Sequence, residues 1–217
     1  MRLNIGCGPY PTVGYRNFDN SLSIHLSKIP FFPELAGLLG IVSAEQMRSI
    51  DFFRSNNIEY GDVTKGLPVK SESCEVVYSS HTLEHLDRSE AKQFCKEILR
   101  ILRPGGIVRI VVPDLKQHVL KYLDTEDADQ FIKSTYMGVG KPKTLSQRLQ
   151  LAVVGPRHHQ WMYDGHSLSK LLISQGFINP RILRAGETTI PDPGELNLSE
   201  RSHESVYVEA IKPDRPE

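Results

Sequence analysis

The stretch from Cys74 to Val112, CEVVYSSHTLEHLDRSEAKQFCKEILRILRPGGIVRIVV, contains the clearest structural pattern in the chain. It begins with a β-rich run that ends at Tyr78. Asp87 and Glu90 then have the spacing of a capping box, and apolar residues recur at helical spacing behind them up to Leu102. Pro104-Gly105-Gly106 predicts the end of this helix. Residues 107–112 are almost continuously apolar, as in a strand covered on both faces of a parallel sheet.

The same alternation extends to both sides of this β–α–β unit. Helices are predicted at about 44–54, 115–123, 127–136 and 144–153, and through Leu168, Leu171 and Leu172. Further strands are predicted at Leu3–Ile5, Tyr15–Phe18, Ile58–Gly61, Phe177–Leu183 and Val206–Ile211. This order favours a doubly wound, mostly parallel α/β sheet of seven strands. We expect one domain over residues 1–217, with helical insertions at about 21–57 and 116–157.

Composition narrows the classes of function. The chain has 26 Lys and Arg and 26 Asp and Glu, so its formal net charge is zero and no broad nucleic-acid surface is expected. The longest apolar stretch, Ile29–Val42, is broken by two prolines and a glutamate, and we expect no transmembrane segment. The start, MRLNIGCG, has no apolar signal region. Three cysteines without a CxxC spacing favour a reducing, cytoplasmic setting.

A glycine turn follows the first predicted strand. Gly6-Cys7-Gly8 would let a ligand approach the backbone closely, although Gly-x-Gly alone is a weak motif. A dinucleotide site needs a third glycine and a helix whose N-terminus faces the pyrophosphate. Here the third glycine is missing, and Pro9 and Pro11 leave little room for a helix. A ligand that has a ribose but no phosphate, such as S-adenosylmethionine, would not need that helix.

Two carboxylates follow the next two predicted strands. Asp19 could accept hydrogen bonds from both ribose hydroxyls, or it could be a turn residue. Asp62 could accept a hydrogen bond from an adenine amino group, or it could cap the turn at Val63-Thr64.

The ordered succession of these motifs resembles class I S-adenosylmethionine-dependent methyltransferases. The closest likeness is to small bacterial members that often accompany cell-surface polysaccharide biosynthesis. Residues 2–20 and 58–115 carry the likeness well. Its motifs are LNIGCG at 3–8, GYRNFD at 14–19, GDVTKGLP at 61–68, VVYSSHTLEHL at 76–86, ILRPGG at 101–106 and IVRIVVPD at 107–114.

This resemblance implies a Rossmann-like methyltransferase fold and a set of cofactor contacts. Gly6, Cys7 and Gly8 would line the methionine moiety, and Asp19 would hold the ribose. Asp62 and Val63 would hold the adenine, and Ser80 and His81 would flank the sulfonium. The reaction would convert S-adenosyl-L-methionine to S-adenosyl-L-homocysteine.

Methyl transfer requires in-line positioning and removal of a proton from the acceptor. The candidate bases are His81, Glu84, His85, Asp114 and His159. Each has a simpler interpretation: Glu84 and His85 could anchor the next helix, Asp114 could be an N-cap, and His159 could lie in the core. We expect no bound metal, because Glu84-His85 and His158-His159 are adjacent pairs and chain neighbours do not easily converge on one ion.

The function favoured by the sequence is methyl transfer to an oxygen or nitrogen of a small or glycan-like acceptor. One alternative is a nicotinamide-dependent oxidoreductase, and another is a non-catalytic accessory subunit that binds the cofactor. The expected partner is a small molecule or saccharide. A homodimer is an assembly that the sequence leaves open.

Overall fold

The structure is a computed structural model, and it describes residues 1–27, 29, 44–138 and 158–214. Its centre is one seven-stranded sheet in the order β3-β2-β1-β4-β5-β7-β6. β7 is antiparallel to both of its neighbours, whereas the other neighbouring strands are parallel. The strands are β1 (Arg2–Ile5), β2 (Arg16–Asp19), β3 (Glu59–Tyr60), β4 (Cys74–Ser80), β5 (Leu102–Pro113), β6 (Ile178–Leu183) and β7 (Ser205–Ile211).

The helices of the described part follow the predicted alternation. They are α1 (Leu22–Ser27), α2 (Ala44–Ser55), α3 (Arg88–Ile101), α4 (Leu115–Thr125), α5 (Ala128–Ser134) and α6 (Gly165–Ser174). The predicted capping box of α3 is present, because Asp87 accepts hydrogen bonds from the Ser89 and Glu90 amides and Glu90 bonds back to the Asp87 amide. The helix predicted at 144–153 lies outside the described residues. The α/β fold is confirmed, and the single-domain organisation stays a prediction.

The two faces of the sheet are covered differently. One face packs against α3 and α6, through buried residues such as Phe94, Ile98 and Leu168. On the other face, residues 184–204 between β6 and β7 contribute Ile190 and Leu196 to a second cluster, although the described part of this segment has no helix. A third cluster joins α1 and α2 to the glycine turn. The covering segment matters for function, because its end lies at the candidate site.

Two details differ from the sequence-based expectation. Helix α3 ends at Ile101, before Pro104, because a residue that precedes proline avoids helical geometry and Leu102 is already extended. Arg109 is the one charged residue in the otherwise apolar run 107–112, yet its side chain is fully buried and pairs with Glu209 over 2.6 Å. A period-two strand pattern cannot reveal this, because Arg109 points to the face that residues 184–204 cover.

Candidate active site

The candidate site lies where the parallel strands β1, β2 and β4 end. In open α/β sheets this carboxyl edge is where ligands bind. Gly6-Cys7-Gly8 follows β1, Asp19 is the last residue of β2, and Ser80 and His81 are at the end of β4. The predicted residues therefore come from separate parts of the sequence to one edge of the sheet.

The glycine turn is held tightly against its neighbours. The amides of Gly6 and Cys7 both donate to the carbonyl of Phe18, over 2.8 and 3.1 Å. Gly6 has φ +70°, and a Cβ atom at this position would overlap the side chain of Thr82. Residues 6–15 between β1 and β2 form only turns and bends, so no helix N-terminus is available for a pyrophosphate. Burial raises the pKa of the Cys7 thiol to about 12, which favours the neutral thiol over the thiolate near neutral pH.

Asp19 connects the glycine turn to the start of α1. Its Oδ2 accepts a hydrogen bond from the Gly8 amide at 2.9 Å, and its Oδ1 accepts one from the Ser21 amide at 2.8 Å. A carboxylate offers about four lone-pair sites, so acceptor capacity remains for a ligand.

Asp62 caps the turn at Val63-Thr64, as its alternative interpretation predicts. Its Oδ1 accepts from both the amide and the hydroxyl of Thr64, at 3.0 and 2.6 Å, and its Oδ2 lies 2.8 Å from the Lys65 ammonium. Burial raises the pKa of Asp62, but the bonds from Lys65 and Thr64 outweigh it, and the net pKa is below the ordinary value. Val63 beside it is buried. Adenine contacts by this pair stay a prediction.

A cleft opens along this edge of the sheet. Its walls come from the glycine turn, the end of β4 and the covering segment 184–204. They are lined by Asn4, Gly6, Cys7, Gly8, Pro9, Tyr10, Tyr78, Ser80, His81, Glu200 and Arg201. Sequence reasoning missed Glu200 and Arg201, because nothing in their sequence surroundings marks them and about 120 residues separate them from their partners. Glu200 and Arg201 are connected to the cleft by a Tyr78–Glu200 hydrogen bond of 2.6 Å and an Arg201–His81 contact of 3.2 Å.

His81 has a strained backbone and two occupied ring nitrogens. Its φ of +49° lies in the left-handed region, which is uncommon for a residue other than glycine and is associated with functional sites. Because a guanidinium has no acceptor, Arg201 donates to Nδ1, and Nε2 lies 2.9 Å from the hydroxyl of Ser205. His81 is therefore held in the wall of the cleft by two residues from the C-terminal part of the chain.

Three further candidate bases, Glu84, His85 and His159, lie close together next to His81. The carboxylate of Glu84 is 1% exposed, and its Oε1 lies 3.3 Å from His81 Nδ1, 3.8 Å from His85 Nε2 and 4.0 Å from His159 Nε2. Burial lowers the pKa of His159 below its ordinary value, and the charge of Glu84 opposes this only in part. The sequence-based argument that the adjacent pairs Glu84-His85 and His158-His159 would not easily converge on one ion is wrong. Ligand atoms of Glu84, His85 and His159 all lie within 4.8 Å of one another.

Asp114 has the capping role that was its simpler interpretation. Its side chain accepts from the Lys116 amide at 3.1 Å as the N-cap of α4. Its own amide donates to the Glu204 carbonyl, one residue before Ser205. A role of Asp114 as a base stays a prediction.

The chain is similar to known proteins in part of its sequence and in its fold. Residues 40–110 match a family model described as a methyltransferase domain, and no curated protein matches the sequence. A solved S-adenosylmethionine-dependent methyltransferase from Thermotoga maritima is 16% identical, with 98% of this chain and 81% of that chain covered and a TM-score of 0.54. Another from Methanosarcina mazei is 15% identical, with 99% and 92% covered and a TM-score of 0.51. At these identities the two structures establish the fold.

No helix in the described residues is both long and apolar enough to cross a bilayer. The matched range includes β3, β4 and α3, whereas the glycine turn and Asp19 precede it in the chain. The match over residues 40–110 indicates an enzyme that is a methyltransferase, and its fold is shared with solved S-adenosylmethionine-dependent methyltransferases.

Proposed function

We propose that this methyltransferase acts on an oxygen or nitrogen atom of a small or glycan-like acceptor, with the cofactor lying across the ends of β3, β2, β1 and β4. The observation that carries the proposal is the row formed by Asp62, Asp19, the Gly6–Gly8 turn and Ser80-His81 in strand order. Neighbouring strands are about 4.8 Å apart, so the row extends over about 14 Å and suits an elongated ligand.

Each part of the row offers chemistry that fits one part of the cofactor. Asp62 and Val63 would contact the adenine, and the Asp19 carboxylate would accept hydrogen bonds from the ribose hydroxyls. Gly6, Cys7 and Gly8 would lie along the methionine chain, where the absence of side chains at the glycines permits close approach. Ser80 and His81 would then flank the sulfonium, which puts the methyl group on the β4 side of the cleft.

The acceptor would approach from that same side. The sulfonium is an activated electrophile, so the chain mainly has to align the acceptor atom with the methyl carbon and receive its proton. His81, Glu84, His85 and His159 lie together there and offer proton-accepting groups. This supports an oxygen or nitrogen nucleophile, which must lose a proton. The glycan-like class is the finer part of the proposal, supported by the resemblance of the sequence motifs.

The nicotinamide alternative is disfavoured by the turn between β1 and β2, which has no helix N-terminus for a pyrophosphate. Calorimetry of the purified protein with S-adenosylhomocysteine and with NAD tests the cofactor directly. We expect micromolar binding of S-adenosylhomocysteine and no response to NAD. The reverse result would overturn the cofactor assignment.

A methyl-release assay against sugars, nucleotide sugars and small amines tests the acceptor. Turnover on a hydroxyl-bearing saccharide supports the proposal, and turnover confined to another class of acceptor contradicts its finer part. Tight cofactor binding without turnover on any acceptor would favour the accessory-subunit alternative.

A further inference from the structure

The carboxylate of Glu84 is buried without a conventional hydrogen bond. Among the described residues neither Oε1 nor Oε2 has a hydrogen-bond partner, and the residue is 1% exposed. Burying an unsatisfied charged group costs several kcal/mol by general estimates of desolvation, so such groups in proteins are paired or bind metals. What faces this carboxylate is a set of imidazole nitrogens, at 3.3, 3.8 and 4.0 Å.

Hydrogen bonds to backbone carbonyls join the segment that contains Glu84 and His85 to the segment that follows His159. The carbonyl of Glu84 accepts hydrogen bonds from the amides of Gln160 and Trp161, at 2.8 and 3.2 Å. The side-chain amide of Gln160 donates to the carbonyl of His85 at 2.7 Å. These bonds fix His159 beside a carboxylate 75 residues earlier in the chain, so the cluster is a built feature of the fold.

The hydrogen bonding of His85 also selects one ring nitrogen for a ligand. Its Nδ1 lies 3.3 Å from the carbonyl of His158, which can only accept, so Nδ1 carries the proton. The lone pair is then on Nε2, the nitrogen that faces Glu84. A metal-binding histidine usually donates its other ring nitrogen to a carbonyl or carboxylate in this way.

The separations suit a single ion after small adjustments. The ligand atoms of Glu84, His85 and His159 all lie within 4.8 Å of one another. Zinc bonds to nitrogen and oxygen are about 2.0–2.2 Å long, so two ligand atoms of a tetrahedral ion lie about 3.4 Å apart. The two separations from Glu84 Oε1 are 3.8 and 4.0 Å, so each would shorten by about 0.5 Å on binding of the ion.

We propose that Glu84, His85 Nε2 and His159 Nε2 form a binding site for one divalent transition-metal ion of the zinc type. Two imidazoles and a carboxylate are a donor set that suits Zn²⁺ and Fe²⁺ better than Mg²⁺ or Ca²⁺. Three protein ligands leave at least one coordination position open, as in catalytic rather than structural zinc sites. The His85 side chain is 36% exposed, which gives the ion and its fourth ligand access from solvent.

This site adjoins the cofactor cleft through His81, which lines the cleft and lies 3.3 Å from Glu84. The next step rests on the proposed function. The open coordination position binds the hydroxyl oxygen of the acceptor, and the metal lowers the pKa of that hydroxyl, as zinc does for bound water. The hydroxyl proton passes by way of His81 to solvent. The oxygen forms a bond to the methyl carbon while the carbon–sulfur bond breaks, and its electron pair stays on sulfur to give the neutral thioether.

Direct metal binding tests the site without cofactor or acceptor. Tag-free protein is stripped with a chelator, dialysed and titrated with Co²⁺ and with Zn²⁺, with calorimetry and visible absorption for Co²⁺. The variants are Glu84→Gln, which keeps the side-chain shape, and His159→Ala. The matched control is His158→Ala, because His158 contributes only its backbone carbonyl to the site.

We expect one equivalent of metal per chain in the wild type and in His158→Ala. Even indirect supporting residues are worth about 10–100-fold in metal affinity, so we expect losses above about 100-fold in Glu84→Gln and His159→Ala. Metal should also raise the melting temperature of the wild type and not of Glu84→Gln. Absence of stoichiometric binding in the wild type, or equal affinity in wild type and Glu84→Gln, would overturn the site.

These experiments test the proposed function and the metal site independently. Binding of S-adenosylhomocysteine to stripped protein reports on the cofactor cleft alone, and we expect Glu84→Gln to retain it. Metal binding with no binding of S-adenosylhomocysteine would contradict the proposed function and leave the metal site standing. Binding of S-adenosylhomocysteine with no metal binding would contradict the metal site alone.

Discussion

The carboxylate of Asp19 accepts a hydrogen bond from the amide of Gly8 over 2.9 Å, which joins the end of β2 to the glycine turn after β1. The same carboxylate accepts from the Ser21 amide at the entrance to α1. The residue proposed to hold the ribose therefore also shapes the turn proposed to hold the methionine moiety. Its removal should affect both cofactor affinity and stability.

Asp19→Ala should weaken binding of S-adenosylhomocysteine by about 1.5–3 kcal/mol, the range for hydrogen bonds to a charged group. The free energy of unfolding should fall as well, because the amides of Gly8 and Ser21 lose their acceptor. Calorimetry and urea unfolding measure the two quantities.

Asp87→Ala is the matched control for Asp19→Ala. It also removes a carboxylate that accepts from two backbone amides, but at the start of α3, and it should lower stability by about 1 kcal/mol. Its affinity for S-adenosylhomocysteine should stay unchanged. Equal affinities in the two variants would show that Asp19 is only a turn residue.

Gly6→Ala should destabilise the fold by more than backbone strain alone. A left-handed residue other than glycine costs about 1–2 kcal/mol, and here the added methyl group would also overlap Thr82. Gly14→Ala isolates the strain, because Gly14 has φ +80° and nothing within 4 Å of an added Cβ. Urea unfolding of the two variants gives the comparison. Equal losses of stability would mean that Thr82 moves aside freely.

The buried pair of Arg109 and Glu209 should be a major determinant of stability. Glu209→Gln should lower the free energy of unfolding by about 3–5 kcal/mol, because it leaves the guanidinium of Arg109 buried without a counter-charge. Glu75→Gln removes one partner of the half-buried Arg2–Glu75 pair near the surface and should cost less than about 1 kcal/mol. A small loss in Glu209→Gln would mean that the backbone carbonyls bonded to Arg109 suffice.

The same pair predicts a dependence of stability on pH. Burial raises the pKa of Glu209, but bonds from Thr188, Thr189 and Arg109 lower it further, and the net pKa is below the ordinary value. A depressed pKa stabilises the fold above the unfolded value of about 4.3, and this contribution is lost as the pH falls through the folded pKa. The difference in unfolding free energy between wild type and Glu209→Gln should therefore shrink below about pH 4, as measured by denaturant unfolding at each pH.

His81→Ala should slow methyl transfer by about 10²–10⁴-fold, the usual contribution of a positioned acid or base, while leaving affinity for S-adenosylhomocysteine nearly intact. The measurement is single-turnover methyl transfer with an acceptor found in the release assay. His158→Ala should retain full turnover. If His81→Ala retains it too, the proton leaves by another route.

Local patterns were sufficient to predict the strands, the main helices and the residues at the carboxyl edge. The capping box at Asp87 and the apolar spacing of α3 act within about four residues, and the structure contains both. The end of α3 was misplaced by a few residues, because the geometric restriction from Pro104 acts ahead of the proline itself. The placement of Gly6, Asp19 and His81 at one edge followed from strand order alone.

The sequence by itself therefore determined the alternation of elements, the turn without a helix and the polar residues at the strand ends, since each depends on neighbours in the chain. Only the tertiary structure brought Glu200 and Arg201 into the cleft, paired Arg109 with Glu209 and set His159 against Glu84. These contacts join residues about 75 to 120 positions apart. The physical reason is that such pairs are set by packing and by the need to satisfy buried charges, and neither leaves a periodic signal in the sequence.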